Sequence, residues 1–167
     1  MRCRIGGVAV IGPGLPGWAE SEAMLAGTAA WEVTEALPPA PAILAAAGYP
    51  PEDIDHVNFH GTGTRANDAM EDRAVHHVFG GAVPCSSTKG WTGHTLGASG
   101  ALEAVAAVLC VEDGLVPGCL GVDEADPEFR SDVATANRAV PVRRVLSNSF
   151  GFGGSNCSLV IGRAGAA

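Results

Sequence analysis

Apolar positions along this chain come in short runs, broken at regular intervals by glycine and proline. The first run, Ile5–Ile11, is continuous and stops at Gly-Pro-Gly, which predicts a buried strand. Gly12–Gly17 reads as a turn-rich loop, and Ala19–Leu25 as a short helix. Residues 38–41, P-P-A-P, exclude helix and central strand alike and mark a seam. Ala42–Ala47 reads as a helix end stopped at Gly48. After Pro50, Pro51 and an acidic turn, Val57–Phe59 predicts a short strand ending at His60. Asp68 and Glu71 fit a D-x-x-E capping box for the next helix. Its apolar face is Val75, Val78 and Phe79, and Gly80-Gly81 ends it. Ala82–Ser87 predicts a strand. Ala98–Val111 predicts an alanine-rich helix with Leu102, Val105 and Leu109 on one side and small residues suited to burial against a sheet. Arg143–Ser149 and Cys157–Ile161 read as strands flanking a glycine turn, so they should pair antiparallel. Strands alternating with helices give an α/β fold.

Composition sharpens this. With 167 residues, 47% hydrophobic content and 23 glycines, the chain suits one tightly packed, small-residue α/β domain. The basic-then-apolar opening mimics a signal peptide, but Gly-Pro-Gly follows it and a small-residue cleavage site does not, so a strand is the better reading. No apolar run is long enough for a membrane span. A net charge of −8 argues against nucleic acid and anionic membranes. It gives no overall attraction for an acidic carrier protein, leaving a local patch at Arg143 and Arg144 for that role. The five cysteines are odd in number and lack C-x-x-C spacing, so neither a metal site nor a disulfide framework is indicated. The expected compartment is the reducing cytoplasm.

The chemistry concentrates in three stretches. Residues 60–64, H-G-T-G-T, follow a predicted strand, and the glycines let backbone approach a ligand closely. Residues 89–100, K-G-W-T-G-H-T-L-G-A-S-G, place His94 just before a helix, where a neutral imidazole donor is favoured. Taken singly, His60 and His94 each read better as loop histidines satisfied by water than as site residues. Together they form a pair suited to donate hydrogen bonds to a developing oxyanion. Glu103 falls on the buried-looking helix, where an unpaired carboxylate is costly, and Lys89 is its expected partner; two solvated charges are the alternative. The third stretch, N-S-F-G-F-G-G-S-N over residues 148–156, is the glycine turn.

Two further patterns carry less. Residues 12–17 satisfy G-x-G-x-x-G after a strand, with Glu32 near the acidic distance. The short helix that follows and the proline seam speak against a dinucleotide site. Cys85, in V-P-C-S-S-T-K, invites reading as a nucleophile, but it lies within a strand and not on a strand-to-helix turn. His76 and His77 read as helix surface and Cys110 as core.

In this order the three stretches resemble the C-terminal half of a β-ketoacyl synthase of the thiolase superfamily, over residues 42–162. The resemblance implies a mixed sheet with a buried Ala-rich helix, and an incomplete N-terminal half. It implies an acyltransferase: decarboxylative Claisen condensation of malonyl-acyl-carrier protein with an acyl thioester, in fatty-acid, polyketide or aryl-polyene-like biosynthesis, without a cofactor. His60 and His94 match the two histidines of a Cys-His-His triad, and Lys89 and Glu103 the ion pair that orders them. Phe152 matches a gatekeeper ring. Thr62, Thr64, Asn148 and Phe150 are the remaining expected substrate-binding residues. Thiolases are similar, but they carry a second cysteine at the glycine turn, which this chain lacks.

Residues 1–37 resemble, separately, the opening of ketosynthase-like or chain-length-factor proteins. The resulting expectation is an N-terminal remnant (1–37), a seam (38–41), a ketosynthase C-terminal domain (42–162) and a tail (163–167). No stretch matches the family's cysteine nucleophile, so the resemblance implies a truncated, impaired or inactive enzyme. The alternatives are a non-catalytic, chain-length-factor-like subunit or a gene-fusion remnant. Implied partners are acyl- and malonyl-loaded carrier protein, and a second copy or a complete ketosynthase.

Overall fold

The computed structural model describes residues 3–11, 44, 48–151 and 156–163, with the backbone alone for 3–11. The glycine-rich stretch 12–17, Glu32, the expected helix at 19–25, the seam at 38–41 and Phe152 lie outside the described residues.

The described strands form a mixed six-stranded sheet. In chain order the elements are β1 (Cys3–Ile11), β2 (His56–Asn58), α1 (Arg65–Phe79), β3 (Pro84–Ser86), the single turn α2 (Lys89–Thr92), α3 (Ser99–Asp113), β4 (Leu115–Val116), β5 (Asp132–Val133), β6 (Arg138–Ala139), β7 (Arg144–Phe150) and β8 (Asn156–Arg163). The sheet order is β1-β8-β7-β2-β3-β5, and β4 pairs with β6 in a separate ribbon. β7 and β8 pair antiparallel, as their sequence predicts, and β1 lies antiparallel on β8. β7, β2, β3 and β5 run parallel. Their carboxyl ends therefore lie along one edge, where open α/β sheets place ligands.

The period-two alternation of β7 and β8 splits the core into two layers. Leu146 and Val160 face one side, with Val57, Phe59 and Val75 of α1. Val145 and Ile161 face the other, with Ala107, Cys110 and Val111 of α3. Small residues let α3 sit close to the strands, as expected. Its larger apolar side does not join the core: Leu102, Val105 and Leu109 are exposed. No helix among the described residues is long and apolar enough to cross a membrane.

Two expectations are corrected. Asp68 and Glu71 form no capping box: α1 starts four residues earlier, with Thr64 in place of Asp68 at the N-cap, and Glu71 turns inward. The basic patch expected at Arg143 and Arg144 is reduced to one exposed residue, Arg143. Arg143 is paired with Asp55 at 3.0 Å. Arg144 is buried, lies 3.6 Å from Asp53, and stacks on the Tyr49 ring at 4.7 Å.

Candidate active site

His60 lies two residues beyond β2, at the carboxyl edge of the parallel strands. Two groups hold its backbone. Glu71, fully buried on α1, accepts the His60 N–H at 2.7 Å and the Gly61 N–H at 2.9 Å. The Lys89 ammonium donates to the His60 carbonyl. Gly61 has φ +47°, and a Cβ there would fall 2.5 Å from the Ser87 Cβ. This glycine is required both by its conformation and by its neighbour. Ser87 in turn donates to the Gly61 carbonyl at 3.1 Å and accepts the Lys89 N–H at 3.3 Å. One hydroxyl thus ties the His60 loop to the turn that leads to His94.

Lys89 is the hub. Its ammonium pairs with Glu103 and approaches His60 Nδ1 at 3.2 Å. Its three donors match three acceptors: Glu103 Oε1, the His60 carbonyl and His60 Nδ1. Glu103 also accepts from Ser99 at 3.1 Å and from Ser149 at 3.2 Å, so its buried charge is satisfied from three elements. An ammonium beside Nδ1 makes that nitrogen the acceptor and leaves the proton on Nε2. Burial, helped by the charges of Lys89 and His94, pulls the His60 pKa down to about 4. His60 is therefore neutral near pH 7, with an Nε2–H to give.

His94 comes from the loop after α2. Its ring meets His60 edge-on, with centroids 5.4 Å apart and planes at 83°. The expected convergence of the two imidazoles is met. The Phe150 ring lies 5.6 Å from His60 on a third side. His94 is exposed, and a 3-10 turn, Leu96–Ala98, separates it from α3, so it does not sit directly on that helix N-terminus. Asn148 is buried; it accepts from Ser158 at 2.8 Å and its side chain hydrogen-bonds Glu71. Thr62 and Thr64 face each other at 3.0 Å between hydroxyls, toward solvent.

Cys85 is fully buried, its thiol lies 3.2 Å from the Val83 carbonyl, and burial pushes its pKa far up. Burial raises the Cys110 thiol to about 11 and moves Cys119 and Cys157 upward as well. Among the cysteines whose side chains are described, none is activated as a thiolate.

Sequence reasoning missed Glu71 and Ser87. Glu71 had a usable signal: it falls on the stripe of Val75 and Val78 at helical spacing, where a carboxylate needs partners. Ser87 had none, because its partners are distant in sequence.

Comparison with known proteins agrees with this geometry. Residues 25–123, which include both histidine loops, match the family model for the β-ketoacyl synthase C-terminal domain. The mitochondrial 3-oxoacyl-[acyl-carrier-protein] synthase of Arabidopsis thaliana is 46% identical over 120 residues, covering 68% of this chain and 26% of that protein. Nodulation protein E of a Rhizobium species is 44% identical over 122 residues, covering 71% of this chain and 30% of that protein. The chain thus spans between a quarter and a third of these relatives. Among solved structures, a ketosynthase in complex with its chain length factor from Xenorhabdus doucetiae superposes with a TM-score of 0.76 at 32% identity, covering 98% of this chain and 40% of that one. The ishigamide ketosynthase/chain length factor superposes with a TM-score of 0.74 at 31% identity, covering 96% of this chain and 38% of that one. The fold is the C-terminal part of a thiolase-like α/β architecture, and the chain belongs to the β-ketoacyl synthase family through its C-terminal domain.

Proposed function

We propose that this chain supplies the decarboxylation half of a β-ketoacyl synthase reaction on malonyl-carrier protein. In that step the bond between C2 and the free carboxyl breaks and carbon dioxide leaves. The electron pair moves onto the thioester as an enolate. His60 Nε2–H and His94 are the donors to the enolate oxygen. Lys89 and Glu103 are positioning residues for His60, with Phe150 and Phe152 beside the acyl path and Thr62, Thr64 and Asn148 shaping the malonyl side. The observation that carries this reading is the Lys89 ammonium 3.2 Å from His60 Nδ1, which fixes the proton on the nitrogen that faces away from it. A preorganised neutral donor in a partly buried site is what a developing oxyanion requires.

Condensation needs more. The C2 carbanion must attack an acyl thioester carbonyl, expelling a cysteine thiolate. The four described thiols are all held protonated, so on this reading the acyl group is carried elsewhere. The chain alone then releases carbon dioxide but forms no β-ketoacyl product. A second reading, a non-catalytic partner subunit of a ketosynthase, is favoured by the exposed Leu102, Val105 and Leu109 on α3.

The test is carbon dioxide release from malonyl-carrier protein by the 167-residue chain. Release should fall roughly 100-fold in His60→Ala and again in His94→Ala, the usual loss for one oxyanion donor. Equal release from the parent chain and both variants would exclude the decarboxylation reading and leave the partner subunit.

A further inference from the structure

His94 is exposed, and its ring contact among the described residues is with His60. Its position therefore depends on the backbone that carries it. That backbone leaves α2 at Gly93, which has φ +69°. One side of α2 presents Lys89 to His60 and Glu103. The opposite side rests on the long excursion between α3 and β7.

Two adjacent residues make that second contact. Gly90 lies flat against the excursion: a Cβ there would come 2.4 Å from the Leu120 carbonyl oxygen. Trp91 donates its indole N–H to the Gly118 carbonyl at 3.0 Å, although over half of the residue is exposed, at 56%. Burial alone therefore does not hold this ring. The acceptor, by contrast, is firmly placed. The Gly118 N–H donates to Asn137 Oδ1 at 2.9 Å. The Gly118 Cα is pressed onto Ala136, where a Cβ would fall 2.6 Å from backbone. The neighbouring Cys119 N–H is bonded to the Ala134 carbonyl at 2.9 Å, and Ala134 to the Cys85 carbonyl at 2.8 Å. The chain of contacts runs from the central sheet, through the excursion, to the turn three residues before His94.

We propose that Trp91 is a positioning residue for His94, and that its indole latch on Gly118, tethered by Asn137, sets the approach of His94 to His60. The inference rests on the decarboxylation reading for its functional meaning, but not for its geometry. An exposed tryptophan could equally serve as an anchor for a partner, and a substitution that keeps the ring separates the two roles. Trp91→Phe keeps an aromatic surface, though a smaller one, and removes the N–H donor to Gly118. Asn137→Ala leaves Trp91 intact and removes one of the tethers on Gly118.

The experiment has two readouts on the same 167-residue chain. The first is the nuclear Overhauser contact between the His60 and His94 ring protons, together with the ring-current shift that the edge-on geometry imposes. The second is carbon dioxide release from malonyl-pantetheine, a carrier-free probe. Trp91→Phe should weaken the contact and lower release roughly tenfold, since small misplacements of a reacting group have effects of this size or larger. Asn137→Ala should move both in the same direction by less. An unchanged histidine contact in both variants overturns the latch, whatever the activity. If the parent chain releases no carbon dioxide, the functional reading fails, and the histidine contact still decides the latch.

Discussion

The two histidine loops do the same kind of work by opposite means. His60 is enclosed: a buried glutamate holds its N–H, a buried lysine holds its carbonyl and ring, and Ser87 holds the next residue. His94 is exposed and follows a glycine hinge, and two residues later Leu96 adopts φ +52°, a left-handed conformation unusual for its type. Charge and burial place the first imidazole. The second depends on a short turn clamped at Gly90 and Trp91. Two donors can converge on one oxygen while belonging to regions of very different local stability. The first loop should therefore be costly to disturb and the second cheap, even where both are needed for chemistry.

The largest effect should come from the buried ion pair. Glu103→Ala leaves Lys89 buried without its carboxylate and strips Ser99 and Ser149 of their acceptor. Breaking one side of such a pair costs about 3–5 kcal/mol, a large share of a domain's stability. Urea unfolding measures it. A loss no larger than that of an exposed pair such as Arg143–Asp55 would mean that water reaches Lys89 freely.

Next in size is a dependence on pH. His56, buried in β2 and bonded to Ser86 at 3.0 Å, has its pKa pulled down by burial from 6.5 to about 4, and His60 is lowered to about 4 too. A depressed pKa means that the unfolded chain binds the extra proton, so stability is lost as pH falls from 6.5 toward 4. His56 alone accounts for roughly 3 kcal/mol over that window. Glu71 acts in the opposite direction. Burial raises its pKa from 4.5 to about 7, against the hydrogen bonds from Gly61, His60 and Asn148 and the charge of Lys89. The folded state then binds the extra proton, and stability is lost as pH rises from 4.5 to 7. The carboxylate partly cancels the histidines. In Glu71→Gln the rise of stability between pH 4 and 6.5 should be steeper than in the parent. Parallel stability curves for parent and variant would show that Glu71 does not titrate in this range.

What could be read from the sequence follows the range of the interactions. The paired strands β7 and β8 and the two histidine loops are set by neighbours in sequence, and their patterns pointed to them. Glu71 read as a helix cap because D-x-x-E is a local pattern. Its partners, His60 and Gly61, are reached only when α1 packs on the sheet. β4, β5 and β6 have two residues each, too few for any periodicity to register. The excursion that contains them is held by long-range bonds, notably from Arg130 and Ser131 backbone to Asp72. α3 has apolar residues on both sides, and only the sheet decides that Ala107 faces inward and Val105 outward.

A smaller effect separates crowding from conformation at the first loop. Gly61→Ala adds a Cβ that collides with Ser87 and forces alanine to φ +47°. Together these should cost about 1–3 kcal/mol. Removing the Ser87 side chain in Gly61→Ala/Ser87→Gly should restore part of that loss. A double variant no more stable than Gly61→Ala would assign the whole loss to backbone strain.

The smallest predicted effect is the most informative about the comparison. His94→Ala removes an exposed side chain whose ring contact among the described residues is with His60. Surface changes of this kind stay within about 0.5 kcal/mol. His60→Ala removes a buried ring that accepts from Lys89, leaving that donor unsatisfied at a cost of about 1–3 kcal/mol. Chemical denaturation of the two variants, at a pH near 7 where His60 is neutral, measures the difference directly. Both should lose carbon dioxide release, yet only one should lose stability. Equal losses of stability would mean that the second loop is as firmly held as the first, and that the clamp on α2 is stronger than one indole hydrogen bond and one close glycine contact can explain.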